Sequence, residues 1–130
     1  LYLTREICGT RFTWFCSGKG VTGEGKNSPR GKLMVATSNW MNEALQTLTH
    51  DPAPDLAKVL EVDLPAMGVD DLLISYALAA YLVEGRPEAA PAVLKGIGEG
   101  VKSVEALQSA LGLSMPELQA HLIQWLKERK

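Results

Sequence analysis

The longest apolar segment of the chain predicts the centre of its fold. Residues 71–84, DLLISYALAAYLVE, are apolar on nearly every side of a helix. A helix without a polar face is normally covered by its neighbours, so residues 72–83 are predicted to form the most buried helix, with Leu78 and Leu82 in the core. Gly85 follows as the predicted C′ residue that ends this helix.

Amphipathic spacing and end signals predict further helices on both sides of this segment. A helix over 33–49 ends before HDPAP at 50–54, because proline disfavours helix at the residue before it. Its apolar stripe consists of Met34, Met41, Leu45 and Leu48. Shorter helices are predicted over 55–61 and over 88–98, the latter with Pro91 in the first turn. A helix over 104–111 is predicted between a Ser103 cap and Gly112. The last helix is predicted from the Ser114–Glu117 capping box to about Arg129.

The N-terminal third is less regular. Residues 3–15, LTREICGTRFTWF, place Cys8, Phe12 and Phe15 at helical spacing, although their β-branched and aromatic content also allows a strand. Residues 17–32 contain five glycines and one proline, which predicts a mobile loop. This loop has no phosphate-binding pattern, so its glycines indicate flexibility.

These patterns together predict an all-α fold, a compact bundle of about six or seven helices with a Gly-rich loop at 17–32. The length of 130 residues fits a single domain over 1–130. Within it, residues 1–49 are predicted to form a helix pair with a loop, and residues 50–130 the C-terminal bundle.

Composition narrows the classes of partner and cofactor. The net charge is −2 and Lys and Arg are scattered, so no nucleic-acid partner is predicted. The longest apolar run is too short to span a bilayer, and no signal peptide is evident. The chain begins at Leu1, which is consistent with a piece of a longer protein, and the localisation stays unknown.

The cysteines and histidines do not predict a structural metal site. If residues 3–15 are helical, Cys8 and Cys16 lie about 12 Å apart along the axis, too far for a disulfide, so both are predicted to be free thiols. His50 and His121 are far apart in the sequence. Neither a CxxC nor an HxxxH spacing occurs, and no cofactor is predicted.

One short motif carries a resemblance to a known family. Trp40-Met41-Asn42-Glu43-Ala44-Leu45 resembles the W-L-N-E-G-(L/F) segment of gluzincin metallopeptidases. Residues 55–85 and 103–128 resemble the regions that follow it in bacterial peptidase-MA-like proteins, so the resemblance covers roughly residues 40–128. It implies that Glu43 occupies the position of the third zinc ligand, on a helix downstream of HExxH.

The rest of that zinc site is missing from the sequence. The upstream candidate for HExxH is 5–9, REICG, in which Arg5 and Gly9 stand where the two histidines would be. Arg offers no lone pair and Gly has no side chain, whereas a catalytic zinc needs three protein ligands and an open position. Glu6 and Glu43 are therefore relic candidates, with no catalytic residue and no metal ligand predicted.

Ordinary structural roles are alternatives to these relic assignments. Glu43 could be an ordinary solvated helix residue, and Tyr76, which could match a site-lining Tyr of the family, fits a buried helix position. If the ancestral arrangement persists, Arg5 would pair with Glu43 as a guanidinium–carboxylate bond.

Three functions are consistent with these observations. The first is a non-catalytic, metallopeptidase-like helical domain, a pseudoenzyme that acts as a scaffold or interaction module for a protein or peptide. The second is the C-terminal part of an active zinc metallopeptidase whose HExxH lies outside this chain. The third is a helix-turn-helix DNA-binding module at 103–128, although its second helix has no Lys or Arg over 115–126 to meet phosphates.

Overall fold

The computed structural model describes residues 14–17, 20–23, 39–62 and 66–129, with side chains described from Asn39 onward. The chain divides into two units, Leu1–Asn39 and Trp40–Lys130. The boundary between the two units falls inside the helix predicted over 33–49, and the described part of that helix, from Trp40, belongs to the second unit.

The described part of the first unit is a β-hairpin. Strand β1, Trp14–Ser17, pairs antiparallel with strand β2, Gly20–Gly23. In this register Phe15 pairs with Thr22 and Cys16 with Val21. Trp, Phe, Val and Thr are residue types with a high preference for strands.

The hairpin corrects two predictions. Trp14 and Phe15 lie in a strand and not at the end of a helix over 3–15, and Gly20–Gly23 forms a strand inside the segment 17–32 that was predicted as loop. Only Gly18 and Lys19 separate the strands, and Gly at the first position of a two-residue connection is a hairpin signal that the helical spacing of Cys8, Phe12 and Phe15 obscured. The rest of both segments lies outside the described residues.

The second unit confirms the all-α prediction. Over its described residues it contains six α-helices and one π-helical turn, within the predicted count. They are α1 (Trp40–Thr49), α2 (Leu56–Glu61), α3 (Val69–Ala80), the π turn (Tyr81–Gly85), α4 (Ala90–Gly98), α5 (Ser103–Leu111) and α6 (Met115–Glu128). None of these helices is long and apolar enough to cross a bilayer.

Local signals account for most of the helix ends. The Asp55 carboxylate accepts a hydrogen bond from the Ala57 amide (3.0 Å) at the start of α2, and the Ser114 hydroxyl accepts one from the Glu117 amide (3.3 Å) at the start of α6. Gly112 ends α5 in the left-handed conformation, with φ of 68°. The predicted cap at Ser103 is wrong by one residue, because Ser103 is already helical and Lys102 precedes it.

The core forms around α3, as predicted. Seven residues of α3 are buried, and it packs against α1, α2, α6 and the π turn. The buried residues are Leu72, Leu73, Ile74, Tyr76, Ala77, Leu78 and Ala80. Burial ends sooner than predicted: Leu82 is half-buried and Val83 is 46% exposed, because the wider π turn changes the direction of successive side chains.

The buried face of α1 differs from the predicted stripe. Trp40, Met41, Ala44 and Leu48 are buried, whereas Leu45 is half-buried and Met34 lies outside the described residues. The Trp40 ring meets the Tyr76 ring edge to face, with centroids 5.0 Å apart. This contact of α1 with α3 turns the face of α1 that carries Trp40 and Ala44 inward.

Candidate functional site

Glu43, the relic ligand candidate, lies in the first turn of α1 and is half-buried. Its backbone carbonyl accepts a hydrogen bond from the Thr47 hydroxyl at 3.0 Å, one turn further along the helix. Glu6, Arg5 and Gly9 lie outside the described residues, so the predicted pairing of Arg5 with Glu43 stays a prediction.

The residues available near Glu43 do not fit a zinc site. Among the described residues, no three His, Cys, Asp or Glu side chains come together. The two residues compared with the HExxH histidines are Arg5 and Gly9, which supply no ligand atom. Tyr76 is 3% exposed and packs on Trp40, so the interpretation of Tyr76 as a core residue is confirmed.

The segment compared with a helix-turn-helix uses one of its polar residues for folding. The Gln119 amide group donates from Nε2 to the Pro54 carbonyl at 2.9 Å, and its Oε1 accepts from the Leu56 amide at 3.2 Å. Both bonds reach more than sixty residues back along the chain and join α6 to the start of α2. The half-buried Gln119 therefore completes the backbone hydrogen bonding of another segment of the chain.

The exposed side of α6 is poor in cations where a DNA-reading helix needs them. Its exposed polar residues include Glu117, His121, Gln124 and Glu128, and its one Lys, Lys127, lies in the last turn. Contacts to phosphate come mainly from Lys, Arg and short polar side chains near the start of such a helix. The charge on α6 thus gives no support to DNA binding.

An apolar surface on α4 was not anticipated from the sequence. Leu94 is 71% exposed, Ile97 43% and Val101 39%, whereas Val93 is the buried residue of this helix. The main packing partner of α4 is α5. There, a Cβ on Gly96 would lie 3.4 Å from the Ala106 Cβ, so Gly96 permits the close approach. We call Leu94, Ile97 and Val101 the α4 apolar face.

The end of α4 fixes the third member of this face. Gly100 takes the left-handed conformation with φ of 90°, and its amide donates to the Ile97 carbonyl at 3.1 Å. The Val101 amide donates to the Gly96 carbonyl at 2.9 Å. These two bonds form a Schellman motif, which turns the chain back so that Val101 stays beside the last turn of α4.

A second surface feature lies between the π turn and α6. The rings of Tyr81 and Trp125 meet at 74° with centroids 5.8 Å apart. Beside them a groove with a volume of about 310 Å³ runs along α6. Its lining consists of Tyr81, Ala120, His121, Gln124, Trp125 and Glu128. We call it the α6 groove.

Gly85 holds the π turn close to α6. A Cβ on Gly85 would lie 3.0 Å from Trp125 Nε1 and 3.2 Å from the Tyr81 ring. The prediction of Gly85 as the C′ residue is wrong, because Gly85 is the last residue of the π turn and Arg86 is its C-cap. The lack of a side chain at Gly85 instead lets the π turn pack against Trp125.

Two ion pairs flank the same turn. Arg129 Nη2 lies 3.0 Å from Glu84 Oε1, and the Arg129 guanidinium lies 5.6 Å from the centroid of the Trp125 ring. Arg86 Nε donates to Glu88 Oε1 at 2.6 Å. This bond lowers the pKa of Glu88, and the Glu88 carboxylate, with a smaller contribution from the Tyr81 side chain, raises the pKa of Arg86.

The two surfaces differ in how far the sequence indicates them. Within 90–98, Leu94 lies about 100° around the helix from Val93, and Ile97 lies between them, so the sequence shows one apolar side of this helix. The α6 groove has no such signal, because Tyr81 and Trp125 are far apart in the sequence.

Comparison with known proteins assigns no family: no protein-family model, no curated protein and no solved structure matches this chain.

Proposed function

We propose that this chain is a non-catalytic, metallopeptidase-like helical domain that serves as an interaction module for another protein. The non-catalytic part of the proposal rests on the donor set, because Arg5 and Gly9 cannot complete a zinc site around Glu43. The metallopeptidase-like part rests on the resemblance of residues 40–45 and of the two later segments.

The α4 apolar face is the observation that carries the interaction role. A Leu that is 71% exposed, with Ile97 and Val101 beside it, gains from burial against apolar surface. Contiguous exposed apolar patches on folded domains commonly mark protein-binding sites. Leu94 and Ile97 are three residues apart on α4 and so are neighbours on its surface, and the Schellman motif places Val101 beside the last turn.

The occupant that this face fits is the apolar stripe of an amphipathic helix from another protein. Cβ atoms on Gly98 and Gly100 would meet nothing within 4 Å, so these two positions leave open space beside the apolar side chains. A partner helix can therefore approach the backbone of α4 closely, in the manner of helix-in-groove recognition.

The test is a selection of displayed helical peptides against the full chain, followed by affinity measurement on two variants. Leu94→Asp puts a charge into the face, and Gln108→Asp puts the same charge on an exposed position of α5. We expect selected peptides with apolar residues at helical spacing, which bind Gln108→Asp as they bind the wild type. Binding to Leu94→Asp should be about tenfold weaker or more.

Selected peptides that bind Leu94→Asp as tightly as the wild type would overturn the interaction role, and so would a library that yields no binder. The non-catalytic part has its own measurement. Elemental analysis of the purified chain should give no stoichiometric zinc, since Arg5 and Gly9 supply no ligand, and one zinc per chain would contradict it.

A further inference from the structure

We infer that the α6 groove is a second contact site, which receives an arginine side chain from a partner protein. This inference does not depend on the α4 apolar face. It rests on the aromatic rings, the hydrogen-bond acceptors and the charge that line the groove.

The charge of the groove favours a cation. Glu128 is exposed at its edge, and its Oε1 accepts a hydrogen bond of 2.8 Å from Gln124 Nε2. A carboxylate has about four acceptor positions, so this bond leaves capacity for a donor from outside. Arg129 and Arg86, the cations near the π turn, are already paired with Glu84 and Glu88. The lining residues of the groove therefore carry a net negative charge, which comes from the Glu128 carboxylate.

The aromatic surface favours a planar cation. Guanidinium groups stack on Trp rings more readily than ammonium groups do, and they can at the same time donate to a carboxylate. This chain already contains that arrangement, since the Arg129 guanidinium lies 5.6 Å from the Trp125 centroid while Nη2 bonds Glu84. Trp125 lines the groove and Arg129 does not, so a guanidinium from a partner would meet the Trp125 side chain from the groove.

One of the lining side chains of the groove is small, which leaves room for such a group. Ala120 lies one turn before Gln124 on α6 and is exposed. The volume of about 310 Å³ is at the lower end of ligand-sized pockets, which suits one side chain of a protein and not a large cofactor.

The experiment titrates the isotopically labelled full chain with N-acetyl-arginine amide, and with N-acetyl-citrulline amide as the uncharged probe of the same shape. Signals are followed in amide and indole N–H spectra, with the Trp125 indole assigned from a Trp125→Phe sample. We expect saturable shifts of the Trp125 indole and of the amides around Gln124 and Glu128 with the arginine probe only.

Two variants locate the charge that matters. Glu128→Gln should weaken binding of the arginine probe about two- to fivefold, the range for an exposed ion pair, while Glu105→Gln on α5 should leave it unchanged. Both residues are exposed, so the spectra should keep their dispersion. Equal shifts with citrulline, shifts that map elsewhere, or a Glu128→Gln chain that binds like the wild type would each overturn the inference.

Discussion

Helices α3 and α4 are equally apolar on average, yet the fold buries most of α3 and leaves most of α4 exposed. Helix α3 buries seven of its twelve residues, with Ile74 fully covered. Helix α4, nine residues long, buries Val93 and leaves Leu94 71% exposed. The average apolarity of a helix therefore does not determine how much of it is buried.

The number of neighbouring elements makes the difference. Helix α3 touches α1, α2, α6 and the π turn, so each of its sides finds a partner. Helix α4 packs mainly on α5 and has one covered side. The proposed partner helix would cover the remaining apolar side chains of α4. Helix α4 is therefore the proposed binding surface, whereas burial of α3 stabilises the fold.

Matched truncations on the two helices should give the largest difference. Ile74→Ala leaves a cavity in the core and should lower the free energy of unfolding by about 2–5 kcal/mol. Leu94→Ala removes a side chain that solvent already contacts and should change it by no more than about 0.5 kcal/mol. Urea unfolding followed by circular dichroism measures both, and equal losses would break the comparison.

A smaller effect is expected at the polar contact that joins α6 to α2. Gln119→Glu replaces the Nε2 donor with a carboxylate facing the Pro54 carbonyl and should lower the free energy of unfolding by about 1–2 kcal/mol. Gln124→Glu, an exposed change on the same helix, should cost no more than about 0.5 kcal/mol. If the two variants unfold at the same urea concentration, Gln119 does not hold these helices together.

The smallest effect on stability is expected at two glycines, Gly85 at the end of the π turn and Gly98 at the end of α4. Gly85→Ala places a methyl group 3.0 Å from Trp125 Nε1 and should lower the free energy of unfolding by about 1 kcal/mol. Gly98→Ala meets nothing within 4 Å and should instead raise it by about 0.4–1 kcal/mol. Thermal unfolding should shift in opposite directions for the two, and shifts of the same sign would contradict the packing described at Gly85.

Sequence signals that act within a few residues predicted the helical unit well. The stop of α1 before HDPAP, the left-handed Gly112 and the Ser114–Glu117 cap all lie where local reasoning placed them. Such signals succeed because the groups that satisfy a helix end are usually within four residues of it. The hairpin is the exception, since helical and strand patterns overlapped in residues 3–15 and the helical one was followed.

The candidate surfaces could be predicted only in part. The apolar residues of α4 are visible in the sequence, but their exposure depends on which elements surround that helix. The α6 groove depends on Tyr81, Trp125 and Gly85 meeting across forty residues of chain, and no local pattern indicates that contact. Gln119 shows the same limit, because its role became visible only from its bonds to Pro54 and Leu56.

The sequence alone indicated several helix ends, among them those at Thr49, Gly112 and Ser114, and it placed the buried centre of the bundle within 72–83. It also showed that Arg5 and Gly9 cannot serve as zinc ligands. These properties depend on backbone geometry and on side-chain chemistry, which each residue carries by itself. The tertiary structure alone decided that Trp40 faces inward, that Val83 and Leu94 face solvent, and that Trp125 forms one wall of a groove. Burial is a relation between segments distant in the chain, so it exists only once those segments have packed.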